Sequence, residues 1–97
     1  MPKGYWITCY REIKDADKVA AYAKLAGPAL SKYGVRYLAR GTPGATFESG
    51  QKERTVMSEF PSLQAAIDAH NGPEYQEALK VLGDGAVRDV RIIEGLE

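Results

Sequence analysis

The sequence holds a single cysteine, Cys9, and a single histidine, His70. One cysteine excludes a disulfide within the chain, and one histidine argues against a zinc site, so no metal is expected. Long hydrophobic runs are missing as well. None nears the ~18 residues a membrane-spanning helix needs, and Met1-Pro2-Lys3-Gly4 opens without the apolar stretch of a signal peptide. The expectation is a cytoplasmic protein with no membrane partner. There is no excess charge of either sign: 13 Lys and Arg against 13 Asp and Glu give a formal net charge of zero, which argues against a nucleic-acid partner. What is present is a chain of 97 residues, 44% hydrophobic and 27% charged. That reads as one soluble domain over residues 1–97, able to bury roughly two-thirds of its unfolded surface in a single core.

Charge is uneven along the chain. Residues 1–48 carry eight basic and four acidic side chains, and residues 49–97 carry five and nine. Because these charges are dispersed within periodic segments, they read as complementary halves of a domain or complementary surfaces of a dimer, not as a charged tail.

Residues 5–11, rich in aromatic and β-branched types, predict a strand. A polar turn over Glu12 to Asp17 offers Asp15 as a helix N-cap. Val19, Tyr22, Ala23, Ala26, Leu30 and Tyr33 then recur at helical spacing. A kink is expected at Gly27-Pro28, because Pro28 has no N–H to donate, and Gly34 suits the helix end. Val35 to Gly41 predicts a second strand, Ala45 to Glu48 a short extended piece, and Arg54 to Phe60 a third strand. Pro61-Ser62 opens a helix carrying Leu63, Ala66, Ile67 and His70 on one face, and Asn71-Gly72-Pro73 breaks it. Pro73 and Glu74 suit the first turn of a further helix with Tyr75, Ala78, Leu79 and Leu82 as its stripe. Val87 to Glu94 predicts the last strand.

The order β-α-β-β-α-β, its second helix broken once, is the ferredoxin-like α+β pattern: a four-stranded antiparallel sheet in the order 4-1-3-2 with both helices on one face. The other face is left bare. Strict alternation assigns the rows. Val56, Ser58, Phe60, Val90, Ile92, Trp6, Thr8, Tyr10, Val35, Tyr37 and Ala39 are expected on the helix side. The bare face is expected to carry Tyr5, Cys9, Arg36, Arg40, Glu59 and Arg91 beside Ile7, Leu38, Met57 and Ile93. Such a mixture suits a dimer interface that encloses a polar pocket.

Several segments resemble the bacterial domain of unknown function 1330 family: Gly4-Tyr5-Trp6-Ile7, the run from Tyr33 to Gly41, Glu59-Phe60-Pro61-Ser62, Gly72-Pro73-Glu74-Tyr75-Gln76, and Ile93-Glu94-Gly95. The resemblance runs from end to end and in order. It implies a dimeric α/β-barrel, two ferredoxin-like sheets packed face to face around a cavity. The family's name states no reaction, so it implies fold and not activity.

Arg40 and Glu59 are the leading functional pair. A carboxylate in a partly apolar cavity can act as a general acid or base, and an arginine can hold an anionic oxygen. Tyr5, Arg36 and Arg91 would complete the wall of this ligand-binding cavity. The plainer alternative is that these charges pair structurally. Arg54 reads as a solvated strand end that could reach the cavity mouth. His70 is a candidate general base, set against a packed, hydrogen-bonded histidine. Tyr75 and Trp6 read as core, and Cys9 as a small buried residue. Gly41 to Gly44 lacks the lysine and following helix of a phosphate loop. Three functions remain open: a homodimer binding a small polar or anionic metabolite, a cofactor-independent enzyme of the isomerase, decarboxylase or monooxygenase kind, or a purely structural dimer. No cofactor is expected.

Overall fold

The computed structural model describes residues 2–96. Aromatic and β-branched residues put Gly4–Ile13 into a strand, β1, and Asp15 then starts helix α1 (Ala16–Ser31). The Asp15 carboxylate accepts the backbone N–H groups of Asp17 and Lys18 at 3.0 and 3.2 Å, satisfying donors that the first helical turn leaves free. The helix continues past Pro28 to Ser31, whose hydroxyl donates to the Gly27 carbonyl at 2.9 Å. Gly34, at φ +80°, turns the chain into β2 (Arg36–Gly41). Strand β3 (Thr55–Phe60), helices α2 (Leu63–Asn71) and α3 (Pro73–Leu82) and strand β4 (Ala86–Glu94) follow. Ser62 caps α2, its Oγ accepting the Ala65 N–H at 3.0 Å. The extended piece expected over Ala45 to Glu48 does not form: residues 42–54 belong to no strand and turn at Glu48 and Ser49. Gly44 and Gly50 interrupt any run long enough to pair.

The sheet is antiparallel in the order β2-β3-β1-β4, which is the expected 4-1-3-2 read from the other edge. The three helices cover one face. Between them and the sheet, Trp6, Phe60, Tyr75, Tyr22, Leu30 and Leu82 pack with small alanines of the helices. On β1 and β3 the rows alternate as predicted: Trp6, Thr8, Tyr10, Ser58 and Phe60 are buried, while Cys9 and Met57 are exposed on the bare face. Cys9, expected to be buried, is exposed: it stands on the face away from the helices, where it shares an open pocket with Thr55, Asp89 and the loop around Phe47.

Strand β2 departs from strict alternation, and the consequence reaches the site. Arg36 pairs with Glu59 and Tyr37 with Ser58, but the next pairs are Ala39 with Met57 and Arg40 with Val56. Leu38 is an extra residue, a β-bulge, and beyond it the two faces exchange. Arg40 therefore turns to the helix side and Ala39 to the bare side, the reverse of the expected arrangement.

Candidate functional site

The bulge places Arg40 at the mouth of a pocket of about 340 Å³ between the sheet and α1. Apolar residues of α1, among them Val19, Ala23 and Leu30, form one wall. Four aromatic rings contribute: Trp6 and Tyr10 from β1, Tyr22 from α1 and Tyr37 from β2. Thr8 and Ser58 supply hydroxyls from the sheet, and three arginines, Arg40, Arg54 and Arg88, supply charge. Arg40 and Arg54 are exposed, so the pocket opens where they stand.

The charge in this pocket has one sign. No Asp or Glu lines it. Among the described residues, no carboxylate pairs with Arg40, Arg54 or Arg88. The arginines instead lie on rings. The Arg40 guanidinium sits 4.2 Å from the centre of Tyr37, and that of Arg88 sits 4.9 and 5.5 Å from the centres of Tyr22 and Tyr10. Arg88 also donates to the Tyr22 hydroxyl at 3.1 Å, which is 2.6 Å from the hydroxyl of Tyr75. Burial raises the pKa of Tyr37, with Arg40 opposing the shift. Burial also raises that of Tyr75, reinforced by Tyr22. Both therefore stay neutral phenols at ordinary pH. On the sheet, Thr8 Oγ1 accepts the Trp6 indole N–H at 2.9 Å and Ser58 Oγ donates to the Trp6 carbonyl at 3.2 Å.

The residues singled out from sequence fall into separate places. Tyr5, Arg36, Glu59 and Arg91 do share the bare face, where Tyr5 and Arg36 flank Glu59 on the neighbouring strands. Glu59 lies 3.4 Å from the Lys3 ammonium and 4.0 Å from Arg36. Arg91 is held by Asp89 through two contacts of 3.1 Å, and those hydrogen bonds keep the Asp89 carboxyl below its ordinary pKa. Arg40 is not with them. The expectation that Arg40 and Glu59 border one cavity is therefore corrected: the sheet stands between them, because of the Leu38 bulge.

His70 packs its ring 5.4 Å from Trp6 and 5.2 Å from Tyr75, with Nδ1 3.2 Å from the Asn71 side-chain oxygen, and it does not line the pocket. Trp6 and Tyr75 are core, as expected, although one side of Trp6 also lines the pocket. Arg54 is exposed just before β3, as a solvated strand end should be, and it borders the pocket on the helix side, not a cavity on the bare face. Sequence reasoning passed over Arg88, Tyr22 and Tyr37. For Arg88 a signal was there: alternation puts it in the row of Val90 and Ile92, and a guanidinium on the helix side of a sheet needs a polar reason to be there.

The family model for the domain of unknown function DUF1330 matches residues 3–96. The chain belongs to that family. Among solved structures, this DUF1330 chain is similar to a protein of unknown function from Rhodopseudomonas palustris, at 19% identity and TM-score 0.76, covering 99% of this chain and 84% of that one. It is also similar to a dimeric ferredoxin-like protein of unknown function from Thermobifida fusca, at 16% identity and TM-score 0.65, covering 96% and 91%. An ethyl tert-butyl ether D (EthD) family protein from Bacillus halodurans matches at 16% identity and TM-score 0.66, covering 99% and 100%. At these identities the likeness shows the ferredoxin-like fold of this DUF1330 chain and nothing of its chemistry. No curated protein matches it. No helix among the described residues is long and apolar enough to cross a membrane.

Proposed function

We propose that this protein binds a small anionic metabolite with a flat, largely apolar body in the pocket between the sheet and α1, and that it works as a homodimer joined through the bare sheet face. One observation carries the ligand class: a pocket of four aromatic rings holding three arginines that no carboxylate neutralises. Arginines left unpaired at the mouth of an apolar pocket favour an anion, which they can grip through planar, two-pronged hydrogen bonds. The size suits one compact ligand, since pockets for small molecules start near ~300 Å³. The dimeric description of the Thermobifida fusca protein supports the homodimer. In that pairing Tyr5, Arg36, Glu59 and Arg91 belong to the seam between sheets, where Glu59 pairs with Lys3 and Arg36. The enzyme reading has less support: the pocket is lined by tyrosines and arginines, with no Asp, Glu or His to serve as a general base.

Native mass spectrometry of protein purified from its own host tests this reading. A small anion should co-purify with the wild type and be lost from Arg40→Ala/Arg54→Ala. Both arginines are exposed, so stability should hold within about 0.5 kcal/mol. A neutral or cationic ligand, or an anion retained by the double variant, overturns it.

A further inference from the structure

We propose that Tyr22 is the specificity-determining residue of this pocket: its hydroxyl is fixed as a donor that takes an ionised oxygen of the ligand, a carboxylate being the simplest bearer. This rests on the ligand reading above and deepens it.

Each hydroxyl hydrogen here has few acceptors to choose from. Tyr75 is 1% exposed and its ring is enclosed by Trp6, His70 and Tyr22 at centre distances of 5.0, 5.2 and 5.9 Å. Its hydroxyl has no acceptor nearby other than the Tyr22 oxygen, 2.6 Å away. A buried hydroxyl hydrogen without an acceptor is costly, and the described residues contain no buried side-chain polar atom without a partner. Tyr75 must therefore donate to Tyr22. Arg88 has only donors to offer and aims one at the same oxygen from 3.1 Å. Two donors fill the acceptor capacity of the Tyr22 oxygen. Its own hydrogen can point at neither of them. Tyr22 lines the pocket and Tyr75 does not, so that hydrogen is directed into the pocket.

Of the two sheet hydroxyls, one repeats the bias and one opposes it. Thr8 Oγ1 already accepts from the Trp6 indole, which frees its hydrogen for the pocket. Ser58 spends its hydrogen on the Trp6 carbonyl and can only accept. With Arg40 and Arg54, donors outnumber committed acceptors in the pocket: Ser58 is the committed acceptor, and the hydroxyls of Tyr10 and Tyr37 can act either way. A ligand that must itself donate, such as an amide or amine, meets few acceptors there, whereas an ionised oxygen on a flat body satisfies Tyr22 and the arginines together.

Calorimetric titration with 2-naphthoate and its neutral counterpart 2-naphthamide tests this, with Trp6, the chain's one tryptophan, as a fluorescence reporter inside the pocket. The wild type should bind 2-naphthoate at least 10-fold more tightly than 2-naphthamide. Tyr22→Phe should lose about 10- to 100-fold for 2-naphthoate, as expected for a hydrogen bond to a charged group, and much less for 2-naphthamide. Because Tyr22→Phe strands the Tyr75 hydroxyl, Tyr22→Phe/Tyr75→Phe serves beside it. That double variant removes the stranded Tyr75 donor, although the Arg88 N–H still loses its tyrosine acceptor; it should melt closer to wild type than Tyr22→Phe and should show the same loss. Binding of 2-naphthoate that survives in both variants but falls in Arg40→Ala/Arg54→Ala overturns the role of Tyr22 alone. A wild type that binds neither probe, or prefers 2-naphthamide, overturns the ligand reading and this inference with it.

Discussion

Tyr75 shows how one hydroxyl can tie stability to the site. Its phenol is buried against Trp6 and Tyr22, and that burial, then the neighbouring Tyr22, raises its pKa above that of a free tyrosine, about 10. In the unfolded chain the group returns to that ordinary value. Above pH about 10 the unfolded state therefore releases a proton that the folded state keeps, and stability falls as pH rises through that region. Below pH about 10 both states hold the proton and the contribution is complete. Tyr75→Phe removes the group that titrates. Urea unfolding at pH 8, 9.5, 10.5 and 11 should give a shallower alkaline loss of stability for Tyr75→Phe than for wild type, even though the variant starts less stable. Tyr37, also raised chiefly by burial, should contribute a smaller share, which Tyr37→Phe measures. Equal alkaline slopes in Tyr75→Phe and wild type would show that the buried hydroxyl is not what titrates.

At the scale of elements, β1 meets α2 through a glycine. A Cβ on Gly4 would fall 2.5 Å from the Ser62 carbonyl oxygen and 2.7 Å from the Leu63 Cα. Both are backbone atoms of the α2 start, so neither can yield like a flexible side chain. Gly4→Ala should cost about 1–3 kcal/mol, the range for overpacking, read as a lower urea midpoint with unchanged slope. Gly27 is the contrast only in part: it lies inside α1, and beyond its chain neighbours an added Cβ meets nothing within 4 Å, but Pro28 follows it, and a proline Cδ crowds the Cβ of a helical residue before it. Gly27→Ala should therefore gain less than the ~0.5–1 kcal/mol of an ordinary helical glycine. The cap at Asp15, the helix start at Pro61-Ser62, the break at Gly72-Pro73, the rows of β3 and β4 and those of β1 as far as Tyr10 are legible, because each follows from local chemistry or from a period of two; the register shift of β1 at Arg11 is not. Nor is strand β2. Six residues give too short a pattern to reveal an extra one, and nothing in Arg36-Tyr37-Leu38-Ala39-Arg40 marks Leu38 as the bulge. That single residue moved Arg40 across the sheet and with it the site. In the sequence Tyr22 is only part of a helical stripe, since a tyrosine's place in a stripe shows its burial and not the partners of its hydroxyl.

At the scale of the molecule, the question is what covers the bare face. Helices lie on one side of the sheet only. On the other, Ile93 is 58% exposed, Leu38 42% and Met57 37%, with Ile7 half-buried among them. Charged pairs stand beside this patch: Arg11 and Arg91 on Asp89, and Lys3 and Arg36 on Glu59. An apolar centre with a charged surround is the make-up of a protein interface, where burial of the centre drives association and the rim sets register. A two-fold pairing of identical faces would bury the patch in both copies at once. Sedimentation velocity at about 10 µM should then give twice the chain mass, with an interface above ~1,000 Å². Met57→Lys/Ile93→Lys places two ammonium groups in each copy of the patch, four in the pair, where burying them without partners is costly. That variant should sediment as a monomer while its circular dichroism stays that of the wild type, since neither side chain reaches the helix-side core. Its pocket lies on the opposite face, so 2-naphthoate binding should survive in the monomer. A wild type that sediments as a monomer at this concentration would remove the dimer, and a monomeric variant that no longer binds would tie the pocket to the pair.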